Sequence, residues 1–405
     1  MPMTFPSVHE QLEIIKQHVV DLLPEDDVVR KLERSRTTST PLVIKLGLDP
    51  SRPDIHIGHA VVLTKLRQFQ DLGHRVVLII GDFTATIGDP TGKSKTRPAL
   101  TLEETRENGR TYIEQAAKIL DASKLEVRSN SEWLNALTFK DVVNLSAKYT
   151  VAQLLERDDF TKRFRGGEPI SVHEFLYPLS QAYDSVAIRA DIELGGTDQK
   201  FNLLVGREIM KAYGLEPQCI LTTPILEGTD GVEKMSKSLD NYIGVTHSPR
   251  DMFGRTMSIP DTLLLRYLQY ACFASSEEIS SVAEGLSNGT LHPRNVKVDI
   301  ARRIVKKYHG SDAAQAAVEE FERVFVKKDI PDDIESMSLG VDTMAIVDLL
   351  AATGMVATKS EGRRLVQQGG VQVDGVKVPS IDDVIDLTSP RILRAGKLRF
   401  KRVSR

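Results

Sequence analysis

Alternating strand-like and helix-like stretches predict an α/β chain: a parallel-sheet domain first, an α-helical region next, and a small α+β unit at the C-terminus. Three observations carry this expectation. Strand-length stretches stand at 42–48, 76–80, 188–194 and 219–226, and the run at 76–80 is continuously apolar, as in a strand buried on both faces. After the first of them, Val62, Leu63, Leu66, Phe69 and Leu72 recur at helical spacing until Gly73 ends the pattern. From about 249 to 326 the patterns are wholly helical, and a charged, proline-containing linker separates them from a short helix–helix–strand–turn–strand series. The expected boundaries are 1–245 for the sheet domain, 246–328 for the helices, 329–340 for the linker and 341–405 for the last unit.

Length and composition bound the answer. With 405 residues the chain holds two or three domains, and 41% hydrophobic with 27% charged residues is ordinary for a globular protein. The net charge of −3 means that any nucleic-acid surface must be local. Cys219 and Cys272 lie far apart and away from histidine clusters, so neither a disulfide framework nor a zinc site is expected. No apolar run reaches the roughly 18 residues of a membrane span. Residues 10–19 read as an amphipathic helix and not as a signal peptide, which places the chain in the cytosol.

Taken in order, the first strand feeds a turn containing His56, Ile57, Gly58 and His59. Such a turn presents backbone N–H groups and the positive end of a helix dipole, which suits phosphate, and Gly58 admits a close approach. Residues 81–95 are rich in turns but fail the phosphate-loop spacing: three residues, not four, separate Gly88 from Gly92. Asp89 remains there, followed by Lys93, Lys95 and Arg97. Helical patterns are expected over 102–120 and 140–164. Trp133, the only tryptophan, reads as a packing residue. Tyr177, Gln181 and Asp184 fall at i, i+4 and i+7, so a helix would point a phenol, an amide and a carboxylate one way. The strand at 188–194 leads to a turn whose expected helix cap is Thr197 or Asp198. About 175 residues after the histidines comes Lys234, Met235, Ser236, Lys237 and Ser238, on a polar, glycine-punctuated loop able to close over a polyphosphate. In the C-terminal unit, helices over 344–352 and 360–368 precede strands at 371–373 and 376–378 joined by an Asp374–Gly375 turn. From 359 to 405 eleven Lys and Arg face five Asp and Glu, a local phosphate-binding footprint.

The HIGH and KMSKS motifs, in this order on an α/β pattern, resemble those of the class I aminoacyl-tRNA synthetases. GLDP before HIGH, GDPTGKS after it, YPLSQAYD and GGTDQ look like the bacterial tyrosyl-tRNA synthetases in particular, over nearly the whole chain. The resemblance implies a Rossmann-type catalytic domain, an anticodon-side helical domain, an RNA-binding tail similar to a ribosomal small-subunit protein domain, and a homodimer. The implied substrates are L-tyrosine, ATP with Mg2+ and the tyrosine tRNA. No metal bound by the protein itself is expected. His56 and His59 would hold the ATP phosphates, and Lys234, Lys237 and Ser238 would close over the leaving pyrophosphate. Gly47, Asp49, Gly58 and Asp198 would line the nucleotide. Asp89, Tyr177 and Gln181 would take the substrate ammonium, Asp184 the phenolic hydroxyl, and Gln199 would lie near ribose and substrate. Arg363, Arg364, Lys397, Arg399 and Lys401 would contact tRNA. One position departs: where many members carry a second tyrosine, just before GLDP, this chain has Lys45. Hydroxyl sensing then rests on Asp184, with a water or Lys45 as helper.

Three alternatives stand beside this reading: a tryptophanyl synthetase of the same class, a small-molecule adenylyltransferase, and a non-catalytic RNA-binding relative. The YPLSQAYD face speaks against the first. The basic tail and KMSKS speak against the second, and the intact His56, His59, Lys234 and Lys237 against the third.

Overall fold

A six-stranded sheet organises the first unit of this computed structural model, which describes residues 5–50, 54–90, 102–323, 334–396 and 399–405. Its strands are β1 (Asp21–Leu23), β2 (Val43–Leu48), β3 (Arg75–Ile80), β4 (Leu125–Ser129), β5 (Ile192–Gly196) and β6 (Cys219–Thr223), in spatial order β1-β6-β5-β2-β3-β4. β1 pairs antiparallel with β6 and the other pairs are parallel. The apolar run at 76–80 is β3, five of whose six residues are buried. Chain order runs outward from β2 in one direction to β4 and from β5 in the other to β6. The carboxyl ends of β2 and β5 therefore flank a topological switch point, where open α/β sheets bind ligands.

Helices cover the sheet through an apolar core that includes Ile44, Leu63, Phe69, Leu78, Leu194 and Leu221. The helix Ile57–Asp71 buries Leu63, Leu66 and Phe69, members of the expected stripe. Several elements differ from the sequence expectation. The strand expected at 188–194 begins at Ile192, because the helix Val172–Ile188 runs further and closes at Arg189 in the left-handed region, φ 54°. The segments Asp21–Leu23 and Leu125–Ser129 are edge strands, and Glu25–Thr38 is a helix. Pro178 lies inside the helix Val172–Ile188, beyond its first turn.

By compactness the chain divides into residues 1–314 and 315–405, so the helices Pro249–Met257 and Pro293–His309 belong to the unit that holds the sheet. The second unit contains β7 (Ser336–Ser338), β8 (Thr343–Ala345), β9 (Val371–Val373), β10 (Val376–Lys377), β11 (Val384–Asp386), β12 (Arg391–Ala395) and β13 (Arg399–Ser404). Five form one sheet in the order β10-β9-β12-β13-β7, and β11 pairs with β8. Helices Ile346–Ala352 and Lys359–Gln367 close its core around Leu349, Leu350, Val371, Leu393 and Val403. Asp374 and Gly375 both have positive φ, 49° and 80°, which the two-residue turn between β9 and β10 requires. The start of the first expected helix, 344–345, is instead the end of β8.

Candidate active site

A cleft of about 600 Å³ opens at the switch point, and both the histidine turn and the lysine loop line it. The backbone explains why they meet. Ile57 N–H donates to the Ile243 carbonyl at 2.9 Å and Val245 N–H to Ile55 at 3.0 Å, so the segment following the lysine loop is stitched to the segment bearing the histidines. On the other side of the loop, Met235 N–H donates to Leu226 at 3.1 Å.

His56 caps the helix Ile57–Asp71, and its ring lies 3.8 Å from that of His59. His59 Nδ1 accepts the His56 backbone N–H at 3.3 Å, so a neutral His59 carries its proton on Nε2. Burial, reinforced by Lys237 and Lys234, pushes His59 down to about 4. Burial, then His59 and the two lysines, holds His56 well below its usual value. Both rings are neutral at neutral pH and offer neutral donors to a charged ligand. A side chain at Gly58 would meet the His56 ring at 3.0 Å and the Met235 Cβ at 3.7 Å. Glycine there makes room for the ring and for the loop as much as for a ligand.

Lys237 Nζ lies 2.7 Å from Asp54 and Lys234 Nζ 3.5 Å from Asp198. Burial raises Asp198 above the usual carboxylate range, against the pull of Lys234. The expected cap at Thr197 or Asp198 is not formed. Thr197–Gln199 make a 3-10 turn, the helix Lys200–Ala212 starts after it, and the Asp198 carboxylate faces the lysine loop instead. Ser236 and Ser238 hydroxyls are 2.8 Å apart.

At the other end of the cleft, Tyr177, Gln181 and Asp184 project from the helix Val172–Ile188 and all three line the cavity. Tyr177 donates to Asp49 at 2.8 Å, and Thr84 donates to the second Asp49 oxygen at 2.8 Å. Burial, with Asp49 and Asp89 adding to it, pushes the Tyr177 phenol well above its ordinary value, so it stays protonated. Asp89 accepts from Gln199 at 3.1 Å and pairs with Arg157 at 3.3 Å. Arg157 also donates to Asn202 at 3.3 Å, and Asn202 donates to Gln199 at 2.9 Å, which closes a ring of four side chains. Gly47 faces open space: no atom stands within 4 Å of where its Cβ would be.

Trp133 is more than packing, contrary to the sequence reading. Its indole N–H donates to Asp184 at 2.8 Å, and Asn130 donates to the other carboxylate oxygen at 3.4 Å. Burial raises Asp184 to about 7, although Lys45, Trp133 and Asn130 all pull it down. Sequence reasoning also missed Asn130, Arg157 and Asp54. The only available signal was that an indole is a donor needing an acceptor when buried.

In the second unit, Arg363 and Arg364 are exposed on the helix Lys359–Gln367. Arg399 donates to the Met355 carbonyl and lies 3.5 Å from Glu361, while Lys401 pairs with Glu335 at 3.1 Å. Lys397, Lys93, Lys95 and Arg97 lie outside the described residues.

A Rossmann-like parallel sheet with these two motifs at its switch point defines a class I nucleotide-dependent synthetase, and the comparisons agree. The family described as tRNA synthetases class I (W and Y) matches residues 37–326, and the S4 domain matches residues 346–381. The chain belongs to the class I tRNA synthetases (W and Y). It is 53% identical over 404 residues to the tyrosine–tRNA ligase of Chlorobaculum tepidum, covering 100% of this chain and 99% of that one. It is 52% identical over 400 residues to the tyrosine–tRNA ligase of Bdellovibrio bacteriovorus, covering 98% and 99%. A tyrosyl-tRNA synthetase from Archaeoglobus fulgidus, solved with L-tyrosine, is similar in fold with a TM-score of 0.63, at 23% identity over 77% of this chain and 100% of that one.

Proposed function

We propose that this cleft performs both steps of the tyrosine–tRNA ligase reaction with the residues assigned below. The chain is an ATP-dependent aminoacyl-tRNA synthetase that activates L-tyrosine to tyrosyl-adenylate and transfers it to tRNA. The observation that carries the assignment is the convergence of histidine turn, lysine loop and the Tyr177, Gln181, Asp184 face on one cavity. The substrate carboxylate is already a nucleophile, so in-line attack on the α-phosphorus needs no general base. Catalysis then consists of positioning and of stabilising charge on the phosphates. His56 and His59 donate to the phosphates, while Lys234, Lys237 and Ser238 draw charge onto the departing pyrophosphate. In doing so the lysines exchange Asp198 and Asp54 for phosphate oxygens.

Gly47, Asp49, Gly58 and Asp198 lie against the nucleotide, with Gln199 beside the ribose. Asp89, Tyr177 and Gln181 accept the ammonium, and Asp184 accepts the phenolic O–H. Mg2+ accompanies ATP as part of the substrate. Among the described residues no group of three or more His, Cys, Asp or Glu side chains stands ready to hold a metal. A terminal ribose hydroxyl of the tRNA then attacks the adenylate. Arg363, Arg364, Lys397, Arg399 and Lys401 hold the tRNA body, an assignment supported by the S4 match and the local positive charge.

We further propose a homodimer. Its support is the run of exposed apolar side chains between residues 139 and 172, namely Phe139, Val143, Val151, Phe164 and Val172, of which Phe139 is 85% exposed. The domain division at 246, 329 and 341 is kept as a functional one, separating activation from tRNA contacts. We propose a cytoplasmic location, supported by the free thiols of Cys219 and Cys272 and by the substrates of the reaction. No helix among the described residues is long and apolar enough to cross a membrane.

Amino-acid-dependent pyrophosphate exchange tests the reading. Exchange with tyrosine alone is expected. Exchange with tryptophan would move the chain to the neighbouring specificity, and none with any amino acid would leave an RNA-binding protein.

A further inference from the structure

Beneath the amino-acid end of the cleft, two opposite charges face each other across the switch point. Lys45 on β2 and Glu193 on β5 are register partners, with Nζ 2.9 Å from Oε1 and side chains 0% and 1% exposed. The Lys45 ammonium has three protons and meets three acceptors: Glu193, the Gln181 backbone carbonyl at 2.9 Å and Ser185 Oγ at 2.7 Å. No donor is left on it for a substrate hydroxyl. Glu193 in turn accepts from the Gln181 side-chain amide at 3.2 Å, from Ser185 at 3.3 Å and from Gln218.

An ionised carboxylate only accepts, so the Gln181 amide must turn its nitrogen toward Glu193 and its oxygen the other way. Gln181 lines the cleft, and its nitrogen is engaged below. Its oxygen is then the atom offered to a ligand.

We infer that the Lys45–Glu193 pair is a positioning device for the substrate's ammonium group: through Glu193 it fixes Gln181 with its amide oxygen toward the cleft, and it makes no hydrogen bond to the ring hydroxyl. The inference rests on the assignment of Gln181 to that ammonium. Lys45 pairs at 2.9 Å with the same Glu193 oxygen that receives the Gln181 amide. It also anchors the backbone of the same glutamine, so both ends of residue 181 hang from one ion pair.

Replacing only one partner would strand a buried charge, whereas exchanging both for apolar side chains of similar volume is commonly tolerated. The test therefore uses Lys45→Met with Glu193→Met, its fold checked by a urea midpoint. The paired variant should raise the tyrosine KM in pyrophosphate exchange by about tenfold, the loss typical of one hydrogen bond to a charged group, with kcat changed by less than about threefold. Read at a pH well above the Asp184 midpoint, where that carboxyl is ionised with or without Lys45, the inhibition constant of 3-(4-hydroxyphenyl)propanoate, tyrosine without its amine, should not change, and neither should the preference for tyrosine over phenylalanine.

Equal weakening of the amine-free analogue would overturn the inference, since the pair would then shape the whole pocket. A fall in preference over phenylalanine would also overturn it, by making Lys45 a reader of the hydroxyl. Gln181→Met, run in parallel, separates the two levels. If it too leaves the amine-dependent part of binding intact, the assignment of Gln181 fails and the inference with it. If it reproduces the amine-specific loss while the paired variant does not, only the role of the ion pair fails.

Discussion

In the proposed site, Asp184 is where recognition and ionisation meet. Only its carboxylate form is a pure acceptor for a phenolic O–H, and burial raises the group to about 7. The tyrosine KM should therefore fall as pH rises from about 6 to about 8, measured by pyrophosphate exchange. The same shift sets a sign for stability. A carboxyl raised above its unfolded value binds more protons when folded, so its contribution is lost as pH climbs from the ordinary carboxylate range through about 7. Asp184→Asn should consequently raise the melting temperature at about pH 8 but not at about pH 4, while relaxing preference over phenylalanine by about tenfold or more. Trp133→Phe removes the 2.8 Å donor and keeps the ring, so the pH midpoint of the tyrosine KM should move up. An unmoved midpoint would detach Trp133 from Asp184. The role of this tryptophan was not legible because its partner lies 51 residues away, and local pattern shows an aromatic without its acceptor.

Among the elements, the histidine turn, the lysine loop and the 172–188 face were legible, because each carries its chemistry within a few residues. Strand β3 was legible too, being apolar throughout its buried stretch. β4 was not: LEVRS is half-buried at every position and sits at the sheet edge, where no continuous apolar run is demanded. β1 has three residues and exists only through its pairing with β6. The Lys45–Glu193 pair hides for the same reason, since register between strands 148 residues apart is a tertiary property. At the lysine loop, Lys237→Ala should lower kcat for adenylate formation by about a hundredfold or more with the tyrosine KM little changed, as transition-state stabilisation requires. A matching rise in tyrosine KM would mean that the loop also shapes the amino-acid site.

At the scale of the molecule, the cleft lies wholly within residues 1–314, and the S4 match wholly within 315–405. Deleting everything after Gly340 should spare adenylate formation and weaken tRNA charging. Parallel loss of both would erase the division of labour. Phe139→Glu combined with Val172→Glu should shift the sedimenting species from dimer to monomer if that apolar region joins two copies. Unaltered sedimentation would move the contact elsewhere. The stitching of 55–57 to 243–245 carries a temporal consequence. It anchors the segment after the lysine loop to the histidine turn, and Met235 N–H on Leu226 holds the loop from its other flank, so the two cationic sides of the cleft keep their spacing between one event and the next. On the proposed assignment, the activated amino acid is held from the opposite wall while the tRNA terminus arrives.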